Sequence, residues 1–122
     1  MSEETGFEGE FPLDVPTMQQ AVWEWRQRQP WADEPPTMTT LGLAEEVGEV
    51  CRASLKLAQG IRGTQEEWLA EIEKELGDVF IKLLDVASVY GINAEHALVR
   101  RWADIRQRNW SANPTGHGIE KA

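Results

Sequence analysis

Residues 64–91, TQEEWLAEIEKELGDVFIKLLDVASVYG, decide the fold. Thr64 followed by Glu67 is a capping-box pattern, in which hydroxyl and carboxylate each satisfy a backbone N–H at a helix start. From Trp68 to Tyr90 the apolar residues recur with helical period, and Gly91 supplies the stop. Ile72, Leu76, Val79, Phe80, Leu83, Val86 and Ala87 form one apolar arc, with Glu75 at its margin and Asp78 one turn on.

Upstream, Gln59-Gly60-Ile61-Arg62-Gly63 is too short for anything but a tight return, so the preceding helix is an antiparallel neighbour. That helix takes its cap from Thr37, Thr39 or Thr40 and ends at Gly60. Its apolar arc gathers Leu41, Ala44, Val47, Gly48, Val50, Cys51, Leu55 and Leu57, leaving Glu45, Glu46 and Glu49 outside. Pro30, Pro35 and Pro36 separate it from a first helix over 18–29, where Thr17 with Gln20 caps a stripe of Met18, Ala21, Val22 and Trp25. Asn93 caps a fourth helix with Ala94, Leu98, Trp102 and Ile105 on one face, stopping before Asn113-Pro114. The expectation is an all-α, four-helix bundle with an antiparallel central pair. Residues 1–16 read as a flexible arm, 17–112 as the domain and 113–122 as a flexible tail.

A chain of 122 residues with 41% apolar and 27% charged residues is expected to form one soluble core. The net charge of -9 is uneven: residues 1–90 carry 18 acidic and 7 basic side chains, and residues 91–122 carry 3 and 5. Such acidity repels nucleic-acid polymers. An anionic small molecule remains a suitable partner where divalent cations neutralise the acidic groups. The single Cys51 excludes an internal disulfide, and there is neither a signal peptide nor a membrane-length apolar run, so a cytoplasmic setting is expected.

Glu46/Glu49 and Glu75/Asp78 are two i, i+3 pairs on neighbouring helices, with Glu45 flanking the first. Four hard oxygen ligands suit Mg²⁺, which keeps waters and bridges to phosphates. Built-in compensation is sparse: Lys82 follows Asp78 by four, but no cation stands at i+4 to the three glutamates of helix two. Gly48 and Gly77 lie beside these carboxylates, each costing about 1 kcal/mol relative to Ala, and close helix approach would explain them. A di-iron centre would call for Glu-x-x-His pairs, which are absent. His96 and His117 read as surface residues, and Cys51 as a core residue.

Together, EEVGE at 45–49 and ELGD at 75–78 resemble the paired signature of the MazG-like, all-α nucleoside triphosphate pyrophosphohydrolase superfamily, over roughly Leu41 to Trp110. The resemblance implies Mg²⁺-dependent cleavage of a (deoxy)nucleoside triphosphate between the α and β phosphates, with Mn²⁺ a possible substitute. Nucleoside monophosphate and pyrophosphate would result, in a nucleotide-pool housecleaning role. Carried over by position, Glu46, Glu49, Glu75 and Asp78 would hold metal, and Glu45 would support them, either by contacting the metal ligands from behind or by orienting the attacking water. Basic residues of the region 100–110 would meet the phosphates; Arg101 and Arg108 share one flank of helix four, and Lys56 on helix two is a further candidate. Trp31, in the proline-rich connection, is the candidate for the base, while Trp25 and Trp102 fall on packing faces. The resemblance also implies a homodimer or homotetramer. The rival readings are phosphoribosyl-ATP hydrolysis within the superfamily, and a non-catalytic helical interaction protein.

Overall fold

The computed structural model describes residues 14–108. Four helices follow in order: α1 (Val15–Gln27), α2 (Pro36–Gln59), α3 (Gln65–Val89) and α4 (Ala94–Ile105), with no strand among the described residues. The chain is all-α, as expected. Most of the arm at 1–16 and all of the tail at 113–122 lie outside the described residues, as do His117 and Trp110.

The helix ends follow local chemistry. The α3 capping box is present in both directions, with Thr64 Oγ1 accepting from the Glu67 N–H at 3.0 Å and Glu67 Oε1 accepting from the Thr64 N–H at 2.8 Å. Asn93 Oδ1 accepts from the His96 N–H at 2.9 Å, capping α4. At the far end of α3, Gly91 sits at φ 69° while the Ile92 N–H reaches back to the Ala87 carbonyl at 2.8 Å, closing the helix in a left-handed turn that glycine adopts without strain.

Two starts differ from expectation. The α1 cap is Asp14, whose carboxylate accepts from the Thr17 N–H at 2.8 Å, because Pro16 has no N–H to offer and fits the first turn. In α2, Pro35 is the cap without any side-chain hydrogen bond, and Pro36 opens the helix. Thr39 is fully buried inside the first turn, donating its hydroxyl to Glu34 Oε2 at 2.8 Å instead of capping. Helix α4 ends at Ile105, well before Asn113.

Helix α3 is the hub: α1, α2 and α4 all pack on it, whereas among the described helices α2 packs on α3 alone. Gln19 of α1 locks the α3–α4 corner, donating to Ser88 Oγ at 3.1 Å and the Ile92 carbonyl at 2.8 Å while accepting from the Ala94 N–H at 3.0 Å. Arg26, 1% exposed, donates through Nη1 to Asp85 Oδ2 at 2.9 Å and through Nε to the Ala32 carbonyl at 3.2 Å. It therefore pins the end of α1 and the following loop to α3.

The α2–α3 seam is only in part the apolar one anticipated: Val50, Leu57, Ile72 and Val79 of the expected arcs are covered, but charged residues share the seam with them. In α2 the covered positions are Thr39, Gly42, Leu43, Glu46, Val50, Ala53, Lys56 and Leu57, and in α3 they include Ile72, Glu75, Val79, Lys82 and Asp85. Leu41, Val47 and Leu55 of α2, and Leu76, Phe80 and Leu83 of α3, are exposed instead. Cys51 is likewise exposed, which corrects its reading as a core residue. Trp25 and Trp102 are 43% and 60% exposed, so their faces are not buried within one chain. Gly48 and Gly77 do not mark close approach: a Cβ built on either meets nothing within 4 Å. At Gly42, by contrast, a Cβ would stand 3.3 Å from Lys82 Cε and Nζ, so the missing side chain makes room for the lysine head.

Removing one member of a buried ion pair leaves an uncompensated charge, so Arg26→Met should cost about 3–5 kcal/mol. Urea titration followed by circular dichroism reads this as a lower midpoint at unchanged slope. The double change Arg26→Met/Asp85→Leu should recover most of the loss.

Candidate metal and nucleotide site

Three carboxylates meet across the α2–α3 seam. Glu46, Glu75 and Asp78 each offer an oxygen within 4.8 Å of the others. Helix α2 brings Glu46 because position 46 continues the covered stripe 39, 42/43, 46, 50, 53; α3 brings Glu75 and Asp78 as an i, i+3 pair. Glu75 is buried at 5% exposure, and Asp78 stands at the rim. Glu49 is outside this triplet and exposed, one turn beyond Glu46.

The charge of the cluster is unevenly met. Burial, followed by the negative charges of Asp78 and Glu75, pushes the Glu46 carboxyl above its ordinary range; Lys82 partly offsets this and Glu49 adds to it. On the opposite side, Lys74 Nζ lies 3.2 Å from Glu75 Oε2 and 3.9 Å from both Asp78 Oδ2 and Glu71 Oε2. Its hydrogen bond with Glu75, reinforced by the neighbouring charges, raises the Lys74 pKa. Lys74, four residues before Asp78, thus supplies compensation that was not anticipated. Lys82 turns from Asp78 toward Asp85, approaching its Oδ2 at 3.8 Å. Three hard oxygens crowded together, one resisting ionisation through burial and then through the charge of the other two, fit a divalent cation.

A groove runs from this cluster under the α1–α2 connection. One cavity of about 280 Å³ is lined by Trp25, Trp31, Glu46, Asp78, Ile81, Lys82 and Asp85. A second, of about 400 Å³, shares Trp31 and Lys82 and adds Glu34, Met38, Leu41, Gly42 and Glu45. Trp31 and Trp25 meet edge to face with centroids 5.5 Å apart. The Arg26 guanidinium and the Lys82 ammonium stand 5.4 and 5.6 Å from the Trp31 ring centre.

Trp31 and Glu45 therefore stand on the groove with Glu46 and Asp78. Lys56 does not: it lies ten residues from Glu46, about 15 Å along α2. Arg101 and Arg108 both reach Asp104, at 3.0 and 3.2 Å, on a helix that packs against α1 and α3 but not α2. Sequence reasoning passed over Asp85, Arg26 and Lys74, and noted Lys82 only as a counter-charge four residues after Asp78 rather than as a site residue. Lys82 and Asp85 were findable, since they continue the heptad-like series 71, 75, 78, 82, 85 that Glu75 and Asp78 begin; Arg26 is only the i+4 neighbour of Val22.

Compared with known families, residues 34–110, more than half of the chain, match the MazG nucleotide pyrophosphohydrolase domain. No curated protein and no solved structure matches.

A carboxyl with a raised folded pKa holds its proton more tightly in the folded chain, so its contribution to stability falls as pH rises from about the ordinary value of 4.5 through the raised one. At neutral pH without divalent ions, Glu46→Gln should consequently melt higher than the parent. Adding Mg²⁺ or Mn²⁺ at about a hundred times Kd should stabilise the parent by roughly 2.7 kcal/mol and the variant far less, as differential scanning fluorimetry would read.

Proposed function

The chain belongs to the MazG nucleotide pyrophosphohydrolase domain family, and from that premise we propose that it is a Mg²⁺-dependent hydrolase of nucleoside triphosphates, cutting between the α and β phosphates. The observation that carries this reading is the Glu46/Glu75/Asp78 triplet opening onto a tryptophan-lined groove. Released nucleoside monophosphate and pyrophosphate, and a role in clearing nucleotides from the pool, follow from the same reading.

Glu46, Glu75 and Asp78 would hold the cation, with Glu49, one turn along α2, as a fourth carboxylate. Bound there, a divalent cation neutralises phosphate charge and acidifies a coordinated water. Glu45, at the groove edge, orients the attacking water and takes its proton. Lys82 swings from Asp85 to a phosphate oxygen, a short move for a flexible four-carbon stem. Trp31 packs against the base, sheltered by Trp25. Phosphoryl transfer needs charge neutralisation and alignment above all, and this arrangement provides for both.

The exposed apolar faces support a homodimer or homotetramer. Val22 and Ala53 are the buried apolar residues among those described, whereas Leu76, Phe80, Leu83, Leu98, Val99 and Trp102 are each more than 40% exposed. An apolar surface on that scale marks an interface, and closed self-association covers it. Arg101, Arg108 and Lys56 are retained as phosphate contacts across such a subunit boundary.

Incubating the protein with nucleoside triphosphates and Mg²⁺, and resolving products by ion-exchange chromatography, should give monophosphate and pyrophosphate with no orthophosphate. Glu75→Gln or Asp78→Asn should lower kcat/KM by about a hundredfold or more with helicity intact. Full activity in both variants would refute the site.

Light scattering should give a mass that is a multiple of 13.8 kDa. Phe80→Glu should reduce that multiple. A parent protein that stays at the single-chain mass at high concentration would rule out self-association.

A further inference from the structure

We propose that Asp85 reads the nucleobase, favouring bases that carry an exocyclic amine over their oxo counterparts. The inference rests on the nucleotide reading above and deepens it, by assigning the far end of the groove a substrate class.

The cavity that begins at Glu46 and Asp78 ends on Asp85, two turns further along α3, about 10 Å away. That separation is comparable with the distance from a nucleotide's α-phosphate to its base. At about 280 Å³, the cavity suits a fragment such as one base rather than a whole triphosphate. Trp25, Trp31 and Ile81 give it apolar walls on which a planar ring can lie.

Asp85 is 2% exposed, and its two carboxylate oxygens differ. Oδ2 accepts from Arg26 and is approached by Lys82. Oδ1 is buried and, among the described residues, accepts no hydrogen bond. A buried acceptor without a partner is costly, and proteins seldom retain one without use. Oδ2 already accepts the Arg26 hydrogen bond, so among the described residues the oxygen with no donor at all is Oδ1, on the side away from it. Oδ1 is itself covered, so the incoming donor reaches it only as the side chains around Asp85 shift, Lys82, 3.8 Å from Oδ2, among them.

A lone acceptor sorts ligands by the sign of the group it meets. An amine, as on cytosine or adenine, donates to Oδ1 and completes its hydrogen bonding. An oxo group in the same position, as on uracil or hypoxanthine, sets two oxygens against each other with no proton between them. The discrimination comes from the unpaired group left behind in the mismatched complex, which is the strongest form of selection available to a small pocket.

Two pairs of ligands differ at that position: CMP against UMP, and AMP against IMP. Isothermal titration calorimetry of the full chain in Mg²⁺ should give CMP and AMP about tenfold or more tighter binding than UMP and IMP, the ordinary effect of one hydrogen bond to a charged group. In Asp85→Asn the amide oxygen can keep the Arg26 contact while the NH₂ replaces the acceptor, so both ratios should fall to about one or invert. Equal binding within both pairs, absence of binding by all four, or ratios unchanged in Asp85→Asn would overturn the inference and leave Asp85 as the partner of Arg26. Should the variant fail to fold, the parent's two ratios decide alone. Pyrophosphate release without base preference overturns this inference and spares the hydrolase reading; base preference without pyrophosphate release does the reverse.

Discussion

The buried contact between Arg26 and Asp85 is the constraint on which the other parts depend. A guanidinium and a carboxylate taken out of water lose hydration worth several kcal/mol each, and only tight, multiply bonded geometry offsets the loss. Arg26 meets that demand with the 2.9 Å bond to Asp85 and the 3.2 Å bond to the Ala32 carbonyl. The result is geometric as much as energetic. The proline-rich connection between α1 and α2 carries Trp31, and it is this contact that holds the connection over α3, where Lys82 and the carboxylates lie.

Local signals in the chain were readable where the physics is local. The Thr64/Glu67 box, the Asn93 cap and the glycines at 60 and 91 each act within one turn, and each is found in the structure where residue chemistry places it. The misreadings at Asp14 and Pro36 come from competition between two plausible starts one turn apart, which proline resolved. Glu46, Glu75 and Asp78 were legible as a group because their spacing repeats on two helices joined by a short loop. The Arg26 contact was not, since it joins residues 59 apart in the chain and carries no periodic signature.

Facing directions were the least legible feature, and the reason is physical. A hydrophobic stripe predicts the inward face only when a helix has one partner surface. Here α2 and α3 carry two apolar-bearing faces: a mixed seam between them, where Val50, Ala53, Ile72 and Val79 alternate with Glu46, Glu75, Lys82 and Asp85, and an apolar exterior of Leu41, Phe80 and Leu83. Amphipathicity reported the second surface faithfully, and the single-chain interpretation assigned it to the first. Gly42 belongs to the same lesson, since its lack of a side chain admits Lys82 to the seam, whereas Gly48 and Gly77 face open space.

The short loop after Gly60 makes α2 and α3 two arms of one lever. Glu46 sits on one arm and Glu75 with Asp78 on the other, about 15–20 Å from the fulcrum at 1.5 Å per residue. Opening the arms by about three degrees would shift the oxygens apart by roughly 1 Å, far more than the few tenths of an ångström a magnesium ion tolerates. Among the described helices α2 packs on α3 alone, so their shared seam is what holds that angle. The packing along that seam therefore also sets the spacing of the carboxylates it carries.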